Sequence, residues 1–402
     1  MTSERSGFEP AHLHAEAAKG LPDTVALRRL IHAEPELGLD LPRTQEKILA
    51  ALEGLGLDIV TGTAQSSIVA TLKGGGDGPT ILLRGDMDAL PMPENTGLDF
   101  SSTIDNRMHA CGHDAHVAML VGAAKILVDR RAELNGNVKF FFQPGEEGYA
   151  GAALALEEGL LADGDVTAGL ALHIDPTQRA GSLTTKPGPI MASADELFIN
   201  IIGKGGHGSS PHGAIDPIVV AATIVTELQT VVTRTVDVFA PAVLTITSFH
   251  SGTTTNVIPE RVELSGTLRT VSERTRNQMH ESIHRVVTGI AAAHGCTAEV
   301  EIRVGYPVTE NDPEFVAFAA DVLRDLVGPE NVRITTSPIM GAEDWSYVLQ
   351  QIPGAMVFLG VRPPELTAQT ATACHSNRMM MDEDAMAVGS AAYAAVAMRY
   401  LS

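Results

Sequence analysis

Cysteine is scarce in this 402-residue chain: Cys111, Cys296 and Cys374 are the only three, an odd and widely spaced set. Such a set makes no disulfide framework and points to a reducing compartment. Basic residues are also few, 28 Lys and Arg against 49 Asp and Glu, for a formal net charge of -21 and no basic run. That excludes the positive stripe of a nucleic-acid or anionic-membrane binder. The stretch MTSERSGFEPAHLHAEAAKG lacks an apolar leader core, and no uninterrupted apolar run nears the roughly 18 residues of a membrane span. The expectation is a cytoplasmic protein with no nucleic-acid and no membrane partner.

What is present describes a globular chain. Hydrophobic residues make up 44% and charged residues 19%, and the length suits two or three domains. After a polar N-terminal arm, LPDTVALRRLIHAEPEL and PRTQEKILAALEGLGL show helical apolar spacing, the second opening on Pro42. SSIVATLKG, TILLRGDMDALP and VKFFFQPGEE read as strands, separated by the helical VAMLVGAAKILVDRRAEL. The alternation predicts an α/β fold whose mixed, largely parallel sheet carries flanking helices, with ligands collecting at the carboxyl ends of strands.

From about Pro189 the order becomes β-α-β-β-α-β, a ferredoxin-like α+β module inserted in the larger domain. DPEFVAFAADVLRDLVG and EDAMAVGSAAYAAVAMRYL then read as helices that complete the first domain. The boundaries expected are a catalytic domain from 1–189 and 305–402, interrupted by a lid and dimerisation domain at 190–304. No internal repeat or low-complexity tract stands out.

The densest chemistry is HACGHDAH, residues 109–116, at the start of a helix. Cys111 and His113 would face opposite ways on a strand and nearly so on a helix, so joint ligation needs a loop, which Gly112 permits. A helix N-terminus favours a thiolate. The plainer reading makes Cys111 a buried small hydrophobe and the histidines capping or surface residues. The clustering favours metal binding.

Glu146 and Glu147 follow an apolar strand on the loop QPGEEGYAG. One can hold a metal while its neighbour takes a proton from water, or both are solvated charge. Asp86 and Asp88, on one side of an extended chain, either ligate metal, hold a ligand histidine through its second nitrogen, or start a turn. His173 ends ALH and His375 lies in the polar loop ACHSN, each a weak signal alone. In GKGGHGSSPH, four glycines surround His207; nucleotide-binding spacing fails, leaving a bulged turn or an exposed imidazole that donates to a developing oxyanion. Asn256 sits on a polar loop and Arg269 at a strand end of the same module.

Together RGDMDALP, HACGHDAH, QPGEEGYAGA, GKGGHGSSPH, TTTNVIPE, MGAEDWSY and CHSN resemble, in order and over nearly the whole chain, the aminoacylase and carboxypeptidase superfamily of dinuclear metallohydrolases. The resemblance is to its amidohydrolase branch, which includes hippurate hydrolases, N-acyl-amino-acid amidohydrolases and auxin-conjugate hydrolases. It implies a zinc-exopeptidase-like catalytic domain with metal ligands Cys111, His113, Glu147, His173 and His375, Cys111 bridging two ions. It implies Glu146 as general base and Asp86 and Asp88 as the acidic motif, with Asp88 at the catalytic position. His207 would reach an active site from the inserted module, often that of a partner subunit. Asn256 and Arg269 would bind the substrate carboxylate or carbonyl. Glu343 and Asp344 would shape the pocket or cap a helix, and Trp345 and Asp175 are neighbours on which pocket size depends. His109 and His116 fall to structural or supporting roles.

Two divalent ions are implied, Zn²⁺ or Mn²⁺ first, with Co²⁺ or Ni²⁺ also suited to thiolate, imidazole and carboxylate donors. The reaction implied is cleavage of an N-acyl or N-aroyl amino acid, or a similar small conjugate, by a homodimer or higher homo-oligomer. Related peptidases carry histidine near Asp86 and aspartate where Cys111 stands, so a dipeptidase or carboxypeptidase ranks second. A metal-containing binding protein without turnover would lack the general base, and Glu146 is present.

Overall fold

Apolar strands and amphipathic helices sort themselves here into two compact units. The structure is a computed structural model that describes residues 10–162 and 165–402. One unit holds the described residues up to Gly188 with Glu310–Ser337 and Tyr347–Ser402; the second holds Pro189–Thr309 and Pro338–Ser346.

The first unit is built on an eight-stranded sheet. Its order is Asp58–Thr61, Ile68–Lys73, Asn135–Gln143, Gly76–Asp86, Val166–Arg179, Gly354–Arg362, Leu183–Thr185 and Val332–Ile334. The centre is parallel: Gly76–Asp86 pairs in parallel with Asn135–Gln143 and Val166–Arg179, and Gly354–Arg362 does so with Val166–Arg179. Buried on both faces, these strands read as near-continuous apolar runs. Phe140, Phe141 and Phe142 are fully buried, and so are Ile81, Leu82 and Leu83.

The helix His113–Asp129 is buried on nearly every side, as its all-round hydrophobicity requires. Met386–Tyr400, rich in alanine, is buried likewise. From it Tyr393 reaches the sheet. Its hydroxyl donates to Arg84 O at 2.6 Å and accepts from Leu172 N at 3.0 Å, tying two parallel neighbours together.

The N-terminal segment departs from the expected polar arm. A helix runs Pro10–His32, straight through Pro22. Proline removes a helical hydrogen bond and crowds the preceding turn. Burial of Leu13, Ala17, Thr24, Arg28 and Ile31 along one face offsets that cost.

The second unit has a four-stranded antiparallel sheet in the order Ala242–His250, Arg261–Thr270, Asp195–Ile202 and Thr297–Val304, with helices Pro217–Thr235 and Glu273–Ala293. This is the ferredoxin-like arrangement the element order predicts. Ser272 caps the second helix by accepting from Thr275 N. Asp195 knots the unit: its buried carboxylate accepts from Arg276 Nε at 3.0 Å, His280 Nε2 at 2.6 Å and Gly305 N at 3.1 Å. Among the described residues, Pro217–Thr235 alone is long and apolar enough to cross a membrane. Here its Val220, Ile224, Leu228 and Val231 enter the unit's core beside Leu197 and Ile199.

Candidate metal centre

Strand register brings the polar residues together at the carboxyl ends of the parallel strands. Arg84 pairs with Ala171, and Asp86 with Gln143. Asp86, Gln143 and His173 therefore reach nearly the same level, and the loops beyond them carry Asp88, Glu146 and Glu147.

The cluster also needs two backbone devices. Gly112, with φ +83°, is the residue before the helix His113–Asp129, and a Cβ there would lie 2.2 Å from Ile174 Cδ1. Only glycine turns Cys111 and His113 toward one centre. At Gly145, φ +74°, a Cβ would meet Leu39 Cδ2 at 2.4 Å. That glycine bends the loop presenting Glu146 and Glu147.

Five residues then form two triads that meet at one sulfur. The donor atoms of Cys111, His113 and His173 lie within 4.8 Å of one another, and so do those of Cys111, Glu147 and His375. Cys111 Sγ is 3.4 Å from His173 Nε2, and His375 Nε2 is 3.2 Å from Glu147 Oε1. A third group joins His113, Glu146 and Glu147 within the same limit.

Orphaned atoms test whether this donor set fits cations. Both ring nitrogens of His113 and Oε1 of Glu147 are buried without a hydrogen bond. Each such atom ordinarily costs about 1–3 kcal/mol; His113 Nε2 and Glu147 Oε1 face each other at 4.0 Å, while His113 Nδ1 is turned toward Asp88. Thiolate, imidazole and carboxylate donors in that position suit a divalent transition ion.

The electrostatics select positive charge. Burial disfavours the His113 cation, but Asp86, Asp88 and Glu147 outweigh it and raise its pKa to about 10. Burial likewise opposes the Glu147 carboxylate, yet His375 and His113 hold it below the usual range. The Cys111 thiol is pushed well above its ordinary value, first by its hydrogen bond with Cys374, then by burial and by Cys374, Glu147 and Glu146. Cys111 lies two residues before the helix His113–Asp129 and amid carboxylates, which oppose the thiolate that the helix N-terminus favours. A cation would favour it.

The surrounding bonds assign the remaining histidines. His173 Nδ1 donates to Ile174 O at 2.7 Å, which leaves the Nε2 lone pair facing Cys111. His116 Nδ1 lies 2.5 Å from Asp86 Oδ1, and His116 Nε2 accepts from Ile174 N at 2.9 Å. With both nitrogens engaged, His116 offers no lone pair, although it sits within ligand distance of Asp86 and His113. Burial drives its pKa down to about 4. His109 is fully buried, and burial lowers it to about 3.

Asp86 is further held by Arg84 Nη1 at 2.7 Å. Asp88 does something spacing does not reveal. It accepts the backbone N–H of Glu146 on Oδ1 and of Glu147 on Oδ2, both at 3.0 Å, while Oδ1 lies 3.5 Å from His113 Nδ1. One carboxylate thus clamps the Glu146–Glu147 loop. Asp175 closes a local turn, accepting from Thr177 N at 2.8 Å and Gln178 Nε2 at 2.7 Å.

The other sequence candidates lie in the second unit. His207 and Asn256 are brought together there by a two-stranded ladder, Val257 opposite His207, and Gly208 N donates to Asn256 O at 2.8 Å. Both are exposed. His207 Nδ1 accepts from Ser209 N at 3.1 Å, so the neutral ring carries its proton on Nε2. Arg269 is half-buried, with Nη1 donating to Leu268 O at 3.1 Å and to Thr267 Oγ1. Glu343 Oε1 accepts from Trp345 N at 3.0 Å, at the start of the short helix Trp345–Leu349.

Comparison with known proteins agrees with this chemistry. A family model described as Peptidase family M20/M25/M40 matches residues 82–399. The chain is 39% identical over 374 residues to N-acetylcysteine deacetylase of Bacillus subtilis, covering 93% of this chain and 95% of that protein. It is 37% identical over 380 residues to thermostable carboxypeptidase 1 of Saccharolobus solfataricus, covering 94% and 95%. Among solved structures it resembles a Bacillus subtilis protein described as a dinuclear metal binding peptidase from the M20 family. That match has a TM-score of 0.83 and 35% identity, covering 95% of this chain and 99% of the other.

Proposed function

This chain belongs to the peptidase family M20/M25/M40, and from that premise we propose that it is a metal-dependent amidohydrolase that splits N-acyl or N-aroyl amino acids into a carboxylic acid and an amino acid. The observation that carries the reading is the pair of triads sharing Cys111, with Glu146 grouped beside His113 and Glu147. The likeness to a deacetylase of an N-acetyl amino acid supports the substrate class.

Cys111, His113 and His173 would hold one ion and Cys111, Glu147 and His375 the other. Two divalent ions so held would acidify a water and polarise the scissile carbonyl. Glu146 would take the proton of the attacking water and deliver it to the amine nitrogen as the C–N bond breaks. Asp88 keeps the backbone of Glu146 and Glu147 fixed while that proton moves. His207, with its proton on Nε2, would donate to the carbonyl oxygen as it gains charge. Asn256 and Arg269 would hold the substrate carboxylate. Zn²⁺ fits the thiolate, imidazole and carboxylate donors; Zn²⁺ and Mn²⁺ are the first candidates of this reading, with Co²⁺ and Ni²⁺ as alternatives.

A homodimer or higher homo-oligomer through the inserted module belongs to the same reading. Its edge strand Ala242–His250 exposes Val243 and Phe249, and the helix Pro217–Thr235 exposes Ile218 and Val219. Cytoplasmic placement rests on the three free cysteines.

The second reading, a carboxypeptidase, is favoured by the likeness to the Saccharolobus enzyme. Metal-supplemented kcat/KM values for N-acetyl, N-benzoyl and long-chain N-acyl amino acids against unblocked dipeptides decide between them. Higher values for dipeptides would replace the amidohydrolase reading.

A further inference from the structure

Two of the three cysteines lie side by side at the metal centre. Cys111 is buried and Cys374 is half-buried. Cys374 Sγ is 3.9 Å from Cys111 O and 3.9 Å from Ile174 O, and the two thiols share a hydrogen bond. Their segments are pinned: His375 N donates to Ala110 O at 2.8 Å, so the residue before His375 stays beside the residue after Ala110. Exposed Ala373 and His375 flank Cys374, and a small solute reaches its sulfur first. The third cysteine, Cys296, is packed in the second unit's core.

A half-exposed thiol in contact with a covered one has the layout of a peroxide-reactive sulfur and its resolving partner. We propose that Cys374 is an oxidation site for hydroperoxides and that its product is a Cys111–Cys374 disulfide, a reversible lock on the metal centre. The bond itself needs only the geometry; its effect on metal rests on the proposed reading of Cys111 as the shared ligand.

The chemistry balances in two steps. The Cys374 sulfur takes the terminal oxygen of the hydroperoxide as the O–O bond breaks, giving a sulfenic acid and releasing water or an alcohol. The Cys111 sulfur then attacks the Cys374 sulfur, the S–O bond breaks, and the oxygen leaves as water, taking its proton from the Cys111 thiol or, where Cys111 is held as a thiolate, from solvent. Two thiols lose two electrons and two protons, and the peroxide is reduced by two electrons. Closure to an S–S bond of about 2.05 Å asks for a short approach from hydrogen-bond contact. Both triads then lose the thiolate they have in common, because a disulfide sulfur is no longer an anionic donor.

The test uses the full-length, metal-loaded enzyme with a small excess of hydrogen peroxide. Non-reducing peptide mapping, metal content after gel filtration, and turnover before and after thiol reduction are read together. Expected are a peptide pair joined through Cys111 and Cys374, metal release in step with it, and a fall in turnover of at least about tenfold. Dithiothreitol with added metal should restore that turnover. Cys374→Ser and Cys374→Ala should keep basal turnover, form no joined peptide and show no reversible metal loss. The proposal is overturned if peroxide leaves both thiols free, over-oxidises them without a joined peptide, or releases metal reversibly from both variants as from wild type. Because the peptide readout needs no substrate, failure of the amidohydrolase reading would be seen separately.

Discussion

His116 donates to Asp86 across 2.5 Å, beside the proposed ligands Cys111, His113 and His173. Its other nitrogen accepts the Ile174 N–H, so the ring links the end of the strand Gly76–Asp86 to the strand carrying His173. His116→Gln is therefore expected to keep the wild-type metal stoichiometry while lowering stability by about 1–3 kcal/mol, the cost of an imperfectly paired buried polar group. Elemental analysis beside urea unfolding checks it. Loss of one ion per chain would make His116 a ligand.

Cys111→Ala should lower the occupancy of both metal positions together, because each triad contains that sulfur. His375→Ala should affect one position more than the other. Metal titration with two resolved binding steps separates these outcomes, and unchanged stoichiometry in Cys111→Ala would remove the shared-ligand assignment.

Glu146→Gln should bind metal near wild-type levels and lose roughly 10²–10⁴-fold in kcat, the usual contribution of a positioned general base. Substantial retained turnover at saturating substrate and metal would assign the proton transfer elsewhere.

Asp88→Asn replaces one acceptor of the paired Glu146 and Glu147 amides by a donor. Facing an N–H with another N–H leaves a buried group unmatched, for about 1–3 kcal/mol. If Asp88 acts by positioning Glu146, the loss should fall on kcat rather than KM, with the acid limb of the pH–rate profile, where the Glu146 base is protonated, displaced. An increase confined to KM would place Asp88 in substrate binding instead.

The buried cluster behind the metal centre predicts a pH signature in stability. His32 Nδ1 lies 2.8 Å from Asp114 Oδ2, and its Nε2 lies 3.2 Å from Glu94 Oε1. Burial opposes the His32 cation, but Asp114 and Glu94 raise its pKa from 6.5 to about 9. A raised histidine stabilises the fold fully below the unfolded value of 6.5, and that contribution disappears as pH climbs through about 9. Glu94 is depressed from 4.5 to about 2 against its own burial, chiefly by its His32 contact, so its contribution is present above 4.5 and lost on acidification. The shared contact counts once. Unfolding free energy should thus fall by up to about 3 kcal/mol between pH 6.5 and 9.5. His32→Gln should flatten that decline; an unchanged slope would sink the assignment.

Much of this was legible because chain chemistry and strand geometry coincide. Asp86 ends a strand, and Asp88, Glu146 and Glu147 lie just beyond strand ends; apolar runs mark strand ends well. Gly112 announced the loop that Cys111 and His113 require. What remained hidden depends on pairings distant in sequence. Asp88 meets the Glu146 amide 58 positions away, and a backbone N–H leaves no compositional trace. Spacing alone made His116 look like its neighbours in HACGHDAH; the resemblance gave it a supporting role, and the fold adds the partner, Ile174 N on its second nitrogen. Cys374 had an adjacent signal, its place before His375, but only the fold sets it against Cys111. The N-terminal helix was missed across Pro10–Gly20 because proline and polar residues mask a buried face whose partners lie far along the chain.

The peptide of Ile174 is gripped from both sides, its N–H by His116 and its carbonyl by His173. For engineering, this makes the segment around residues 109–116 a poor cassette. Transplanted into a relative without Asp86 and the matching strand end, it would deliver the sulfur and an imidazole but leave both nitrogens of His116 without their partners. Useful chimeras would have to carry residue 86, residues 109–116 and residues 173–174 as one inheritance.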